Sequence, residues 1–545
     1  MFILGENMKN KMTFWLCLTF IFLASVGFSF AWFSTQIQGN DTAKIITTST
    51  SVLKLVFDDS GEDITLSNMK PGDFIEKTIT VENTGTEPTY YALNWINLLN
   101  TFTNNEIVLN AECLSYRDYN NKIISGSCDN IEKIVGYFET SSSEIIKQNI
   151  YVDVGITHEY KIKVEFKEKN ENQNYNQGKD FVGKINILES TKPLTIFEVM
   201  QRDNEIFADN VNSTYVQNVT PGIDFSRSAS DTNGKGLYYT TDLSRTKDIN
   251  NDGTGEKVYY YRGEVTNNNL LFAGFCWKIV RTNEDGSIRL RYNGRHSSNS
   301  GCSSTSSIGD SPFNRTYGDN AYLGYMMGID NNCTSGACNT SINTTSYSQA
   351  TTNTYDSTIK KFIDEWYESN ILSQGSFVTS KIANSIYCND RKVATSDDGY
   401  TNPLNYTQYG YGNNTAEYAV WARLNILYKP QYKCELLNDE FSLSVANGGI
   451  SGFGNNALKY PVALLNADEI VYSGNSQSFL KTSSLHWVLS PVANDGSGIK
   501  GHLFNSSFQY QVLYNLREVY PSLSINGDLV VSNGTGIAEN PYVIE

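Results

Sequence analysis

Histidine, positive charge and familiar catalytic motifs are scarce in this chain of 545 residues. It has four histidines, no Cys-x-x-Cys pair, and neither a His-Glu-x-x-His nor a Gly-x-Ser-x-Gly motif. These absences argue against a zinc site with regular ligand spacing and against the common metallopeptidase and serine hydrolase sites. Lys and Arg total 42 against 58 Asp and Glu, a formal net charge of −16, so a nucleic-acid partner is not expected.

The composition predicts a folded, mainly β protein. Apolar residues make up 40% of the chain, aromatic residues 12% and charged residues 18%, and there are 35 tyrosines. Abundant Tyr, Thr, Val and Ile favour strands, and this apolar content excludes bulk disorder. At roughly 150 residues per domain, the length predicts two to four domains.

The N-terminal segment indicates export. Lys9 and Lys11 precede 12–33, a stretch with no charged residue. Such a segment is either a signal peptide or an uncleaved membrane anchor, so we assign residues 1–32 to one of these roles. Small residues before Trp32 predict cleavage after Ala31, and the protein is expected outside the cell or at its surface, in contact with the membrane if cleavage does not occur.

The cysteines agree with an oxidising compartment. Cys17 lies in the apolar segment, which leaves an even set of eight disulfide candidates. Eight cysteines allow many pairings, of which the sequential one is the simplest. The candidates are Cys113, Cys128, Cys276, Cys302, Cys333, Cys338, Cys388 and Cys434.

Turn-forming residues around Pro193 divide the exported part into regions 33–190 and 191–545. In the first region, alternate residues from His158 to Phe166 are apolar and the residues between them are charged. A period of two predicts a half-buried strand of a β-sandwich. His158 is in register with the apolar face, so we interpret it as a core residue.

Two linked motifs in the first region resemble those of the TasA/camelysin family. They read ITLSNMKPGD at 64–73 and TITVENTG at 78–85, and FSFAWFS at 28–34 resembles the cleavage boundary of SipW-type signal peptides. The resemblance implies a jelly-roll β-sandwich, and several members assemble into biofilm fibres. The strand-prone segment 42–57 would then be free to add to a neighbouring subunit's sheet. The cysteine pair of this region departs from the fibre-forming pattern.

The second region predicts a mixed α+β module. Apolar strands are expected at 257–263, 270–280 and 287–292, the last two forming a hairpin, and apolar residues at helical spacing predict an amphipathic helix over 358–372. The order of the motifs YYYRG, FAGFCWKIVR, WVLSP and VYPSLSI resembles an uncharacterised module of exported bacterial proteins. It also resembles, more loosely, the C-type-lectin-like fold shared with formylglycine-generating enzymes, whose copper-binding cysteine pair has no counterpart here.

Individual sites give weak signals. Asp248, Asn250 and Asp252 place oxygen ligands at alternate positions before a glycine, as at the start of a calcium loop, although an ordinary polar turn has the same pattern. Ser-x-x-Lys at Ser357 is interpreted as a chance match in a serine-rich chain.

Two histidines and a tryptophan lie in segments near the expected ligand face of a lectin-like fold. They are His486, Trp487 and His502. Trp487 sits in an apolar run and is interpreted as core, so no ligand-binding residue is assigned.

The sequence therefore predicts a non-enzymatic surface or matrix protein that acts in adhesion or display. Its expected partners are a glycan or a cell-surface protein, and calcium is the one cofactor considered. The alternatives are a biofilm fibre subunit that self-assembles by donor-strand exchange, and a secreted hydrolase.

Overall fold

The computed structural model describes most of the chain as two compact units, Met1–Pro193 and Leu194–Glu545. The residues described are 44–45, 55–58, 64–67, 69–117, 122–123, 128–190, 193–209, 222–297, 301–330, 333–340, 343–395 and 409–544. The predicted apolar segment 12–33, the cleavage site after Ala31 and Cys17 lie outside them. Among the described helices, none is long and apolar enough to cross a membrane.

The first unit consists of two antiparallel sheets. Its strands are β1 (Lys44–Ile45), β2 (Leu55–Asp58), β3 (Ile64–Ser67), β4 (Phe74–Asn83), β5 (Thr89–Asn100), β6 (Ile107–Arg117), β7 (Lys122–Ile123), β8 (Ile131–Ile134), β9 (Phe138–Val152), β10 (Ile156–Phe166) and β11 (Asp180–Ser190). One sheet has the order β1-β2-β4-β10-β6-β7, with β8 also paired to β6, and the other has the order β3-β11-β5-β9.

The alternation of buried and more exposed residues along β10 explains how the two sheets pack against each other. His158, Tyr160, Ile162 and Val164 are fully or almost fully buried, while the residues between them are more exposed. Trp95 of β5 belongs to the same buried cluster, so the two sheets enclose one core as a β-sandwich. The predicted strand and the core position of His158 are confirmed.

The second unit combines larger sheets with short helices. Its strands are β12 (Ile206–Ala208), β13 (Gly236–Thr240), β14 (Val258–Arg262), β15 (Asn269–Phe272), β16 (Phe275–Thr282), β17 (Ile288–Arg295), β18 (Asp310–Ser311), β19 (Met326–Met327), β20 (Tyr355–Asp356), β21 (Tyr387–Cys388), β22 (Ala416–Glu417), β23 (Glu440–Phe441), β24 (Val462–Ala463), β25 (His486–Asn494), β26 (Ile499–Phe504), β27 (Phe508–Val512), β28 (Arg517–Glu518), β29 (Ser522–Ile525) and β30 (Tyr542–Val543). Its helices are α1 (Ile196–Arg202), α2 (Tyr347–Ala350), α3 (Thr358–Asn370), α4 (Ser376–Thr379), α5 (Ala419–Asn425) and α6 (Ala467–Tyr472).

Two sheets dominate this unit. The larger follows β12-β13-β14-β16-β17-β29-β24, with β15 between β16 and β30, and the smaller follows β18-β28-β25-β26-β27, with β22 paired to β25. Most pairings are antiparallel, and the prediction of a mainly β protein is confirmed for the chain.

The predicted hairpin forms between β16 and β17. The prediction of a single strand over 270–280 is wrong, because this segment contains parts of two strands. The chain reverses at Ala273 and Gly274, so β15 and β16 are two strands in register, with Phe272 opposite Phe275. Both turn residues have positive φ, 54° and 76°, which is the geometry of a tight two-residue hairpin turn. An uninterrupted apolar run concealed this turn.

The predicted helix corresponds to α3. Ser357 accepts a hydrogen bond from the Lys360 backbone N–H through its hydroxyl, at 3.2 Å, and so caps the first turn. Ile359, Ile363 and Tyr367 are buried on one face of the helix. The burial of this apolar stripe fixes α3 against the core of the unit.

Candidate functional site

A wide groove of about 1590 Å³ lies on the second unit, and residues from many separate segments line it. The start of α1, the start of β14 and the turn between β16 and β17 contribute to it, as do α3, α4 and the loops that follow β23 and β29. Pockets for small ligands usually have volumes of roughly 300–1,000 Å³. The groove therefore has room for an extended ligand such as a polymer segment.

Two aromatic pairs form part of the lining. Phe197 and Tyr259 meet edge to face with ring centroids 4.9 Å apart, and Tyr367 and Tyr460 stack at 5.1 Å. Tyr367 is buried, whereas the other three rings are partly exposed. Each exposed ring is held in place by its neighbour, which lowers the entropic cost of presenting it to a ligand.

Charged groups in the lining are mostly acidic. The groove has two lysines and five carboxylates, namely Lys257, Lys459, Glu198, Glu256, Glu284, Asp285 and Asp528. The ammonium of Lys459 lies 4.6 Å from the centroid of Tyr460, and that of Lys257 lies 5.2 Å from the centroid of Tyr259. An excess of carboxylates disfavours a polyanionic ligand.

Several polar groups of the lining also shape the groove walls. Glu198 accepts a hydrogen bond from the Thr195 N–H at 2.9 Å, and the Thr195 hydroxyl accepts one from the Glu198 N–H, which caps α1. Asp285 accepts hydrogen bonds from both the N–H and the hydroxyl of Ser287 and so fixes the β16–β17 turn. These hydrogen bonds fix the parts of the groove wall that α1 and the β16–β17 turn contribute.

The three residues considered near a ligand face are buried away from the groove. His486 shares a hydrogen bond with the Thr482 hydroxyl at 2.9 Å, and Trp487 donates one to the Ser311 carbonyl at 2.9 Å. Burial lowers the pKa of His486 and lowers that of His502 to about 4. Trp487 is a core residue, as interpreted from the sequence, and none of the three lines the groove.

The loop proposed for calcium directs its oxygens at its own backbone. Asp248 accepts hydrogen bonds from the N–H groups of Asp252 and Gly253, at 3.1 and 3.0 Å, and Asn250 accepts one from Asp252 at 2.9 Å. The hydroxyl and N–H of Thr254 lower the pKa of Asp252. Calcium binding at this loop stays a prediction.

The eight cysteines expected to pair do so in sequential order. The disulfides are Cys113–Cys128, Cys276–Cys302, Cys333–Cys338 and Cys388–Cys434, with Cα separations of 5.5–6.1 Å. Four disulfides indicate that the protein matures in an oxidising environment.

The Ser-x-x-Lys motif of α3 has a structural role. The Ser357 hydroxyl caps the helix, and the Lys360 ammonium bonds to Asp364 at 2.5 Å and lies 3.3 Å from Asp356. Lys360 is therefore engaged by carboxylates and does not activate Ser357 as a nucleophile.

The described parts of the strand-prone segment 42–57 are not free to add to the sheet of another subunit. Leu55–Asp58 pairs with β4 of the same chain, and Lys44–Ile45 pairs with Leu55–Asp58 in turn. The expectation of an unpaired donor strand is wrong for these residues, because they already pair within the chain's own sheet.

Comparisons with known proteins identify no family. No family model and no curated protein matches the chain. Among solved structures, the chain is similar to the VP2 subviral particle of infectious bursal disease virus over 29% of its length and 37% of that chain, with 10% identity and a TM-score of 0.18.

Two further solved structures concern carbohydrate-associated proteins. One is TmCBM61 in complex with beta-1,4-galactotriose, with 11% identity, a TM-score of 0.14, and coverage of 30% of this chain and 90% of that one. The other is the Podospora anserina GH26-CBM35 beta-(1,4)-mannanase, with 8% identity, a TM-score of 0.12, and coverage of 31% and 37%. Similarities this low carry no argument about fold or function.

Proposed function

We propose that this chain is an exported surface or matrix protein whose second unit binds a neutral glycan in the groove without chemically changing it. The observation that carries the proposal is a groove of about 1590 Å³ lined by partly exposed, preoriented aromatic rings. Tyr and Phe rings present flat apolar surfaces on which sugar rings pack, while amides and carboxylates beside them can bond to hydroxyl groups. The carboxylate excess favours a neutral sugar over a sulfated or phosphorylated one.

Export is supported by the apolar segment 12–33, by the four disulfides and by the motifs at 28–34, 64–73 and 78–85 that resemble those of the TasA/camelysin family. A lectin-like second module would suit adhesion or display. The fibre alternative is less favoured because Leu55–Asp58 already completes its own sheet.

Binding rather than hydrolysis is supported by the composition of the groove lining. Among the described residues that form it, none is a histidine or a cysteine, and at least two of its carboxylates serve to cap a helix and to fix a turn. Glu198 and Asp285 are therefore committed to structure, and a hydrolase would have to use a pair from Glu256, Glu284 and Asp528.

The test is a binding assay of the full chain on insoluble cellulose, chitin, mannan and galactan, with released reducing sugar measured in parallel. We expect the protein to be retained on at least one polysaccharide and to release no reducing sugar from it. Retention on none of them would refute glycan binding, and release of sugar would establish a hydrolase instead.

A further inference from the structure

A group of potential metal ligands lies in the first unit, far along the chain from the groove residues. One sulfur each from Cys113 and Cys128 and one ring nitrogen of His158 all lie within 4.8 Å of one another. Among the described residues, this is the one group of three His, Cys, Asp or Glu side chains that converges so closely. Within the described part of the chain, no such group forms around the other three disulfides.

The two cysteines are held near each other by more than their disulfide. Val108–Ala111 of β6 pairs with Ile131–Ile134 of β8, so Cys113, which lies within β6, and Cys128, which lies just before β8, are carried by adjacent strands. The Cys113 N–H also donates a hydrogen bond to the Asn130 side chain at 2.9 Å. These contacts keep Cys113 and Cys128 in proximity when the bond between their sulfurs is broken.

The histidine is positioned in the manner of a metal ligand. His158 is fully buried in β10, next to Tyr160, which is directly opposite Cys113 on β6. Its Nδ1 lies 2.8 Å from the hydroxyl of Tyr91, which belongs to the facing sheet. Histidines that bind metals typically have the ring oriented by such a second hydrogen bond.

We propose that reduction of the Cys113–Cys128 disulfide converts this group into a Zn²⁺ site made of two thiolates and the His158 imidazole. An external dithiol supplies two electrons and two protons and is itself oxidised to a disulfide, leaving two thiols on the protein. Zn²⁺ then displaces both thiol protons as it binds. Sulfur and imidazole nitrogen are the ligands that Zn²⁺ prefers in proteins.

Zinc binding requires the sulfurs of Cys113 and Cys128 to move apart by only a small distance. Zn–S bonds of about 2.3 Å in a tetrahedral site place the two sulfurs about 3.8 Å apart. The Cα atoms are 6.1 Å apart, so side-chain rotation can supply this separation. Both cysteines are half-buried, so a dithiol can reach the bond, and water completes the fourth position. The site has no regular sequence spacing because its ligands come from three separate segments.

The test uses the full chain, reduced and kept under anaerobic conditions, with Co²⁺ and Zn²⁺ as probes. Sulfur-to-cobalt charge-transfer absorption reports thiolate ligation, and competition with a chromophoric chelator reports Zn²⁺ stoichiometry. We expect one additional equivalent of metal in the reduced protein relative to the oxidised protein and relative to the matched C113S/C128S double variant. That variant retains the other disulfide-forming cysteines, so it corrects for thiols elsewhere.

The role of His158 is tested by His158→Gln. A folded variant is expected to lose the additional equivalent, and if it does not fold, Cys113→Ser and Cys128→Ser are measured singly, each of which should abolish that equivalent. Equal metal binding by the reduced wild type and C113S/C128S would overturn the proposal. So would loss of hydrogen-exchange protection in Ile156–Phe166 on reduction, since the ligands of the first unit would then not be preorganised.

Discussion

The Tyr91 hydroxyl lies 2.8 Å from His158 Nδ1 and 2.9 Å from the Tyr160 hydroxyl, joining the two sheets of the first unit within their shared core. All three side chains are buried. Burial lowers the pKa of His158 to about 4 and raises the pKa values of both tyrosines, so all three groups are neutral near pH 7. The two hydroxyl groups and the imidazole therefore hydrogen-bond to one another in their neutral forms.

The stability of the first unit is expected to fall on mild acidification. An unfolded histidine has a pKa near 6.5, so the unfolded chain binds a proton that the folded chain with its pKa of about 4 does not. The stabilisation is fully present above about pH 6.5 and is lost as the pH falls toward 4, by about 3 kcal/mol for one such group. Hydrogen exchange in Ile156–Phe166, corrected for intrinsic rates, measures this loss.

The matched variant is His158→Gln, which cannot take up a proton. Its exchange free energy should depend less steeply on pH over the same range, whatever its absolute stability. Parallel pH profiles for the two proteins would contradict the assignment of the effect to His158.

Two neighbouring substitutions in the turn between β15 and β16 are expected to change the stability of the second unit in opposite directions. Ala273 has φ 54°, so Ala273→Gly removes backbone strain and should stabilise the second unit by up to about 1 kcal/mol. Gly274 has φ 76° and free space around an added Cβ, so Gly274→Ala should destabilise the unit by about 1 kcal/mol through backbone strain alone. Calorimetric melting temperatures measure both, and effects of the same sign would refute the turn geometry.

Removal of the N-terminal strand is expected to promote association. A protein beginning at Trp32 retains Leu55–Asp58 against β4, whereas one beginning after Asp58 leaves that edge of β4 unpaired. Exposed edges recruit other strands. Light scattering should find the longer protein monomeric and the shorter one prone to associate. Polymers formed only by the longer protein would instead support donor-strand exchange.

Local patterns of the sequence predicted individual elements well. Period-two alternation identified β10, helical spacing identified α3, and the Asn283–Gly286 turn identified the β16–β17 hairpin. Each of these signals depends on neighbours within a few residues, where side-chain direction follows directly from backbone geometry.

The candidate sites were not predicted, for a related reason. The groove is assembled from segments between Thr195 and Asp528, and the ligands of the proposed zinc site come from positions 113, 128 and 158. No local period connects such distant residues. The break at Ala273 was missed because both flanking strands are buried and apolar, so hydrophobicity does not change at the turn.

Glycan binding by the aromatic groove is tested by comparing tyrosine variants on the polysaccharide that retains the wild type. Tyr259→Ala and Tyr460→Ala remove rings of the groove, while Tyr510→Ala removes a ring that is 56% exposed but lies outside it. We predict that each groove variant binds about tenfold more weakly, a loss of about 1.4 kcal/mol, and that Tyr510→Ala binds like the wild type. Unchanged affinity in both groove variants, or an equal loss of affinity in Tyr510→Ala, would refute glycan binding in the groove.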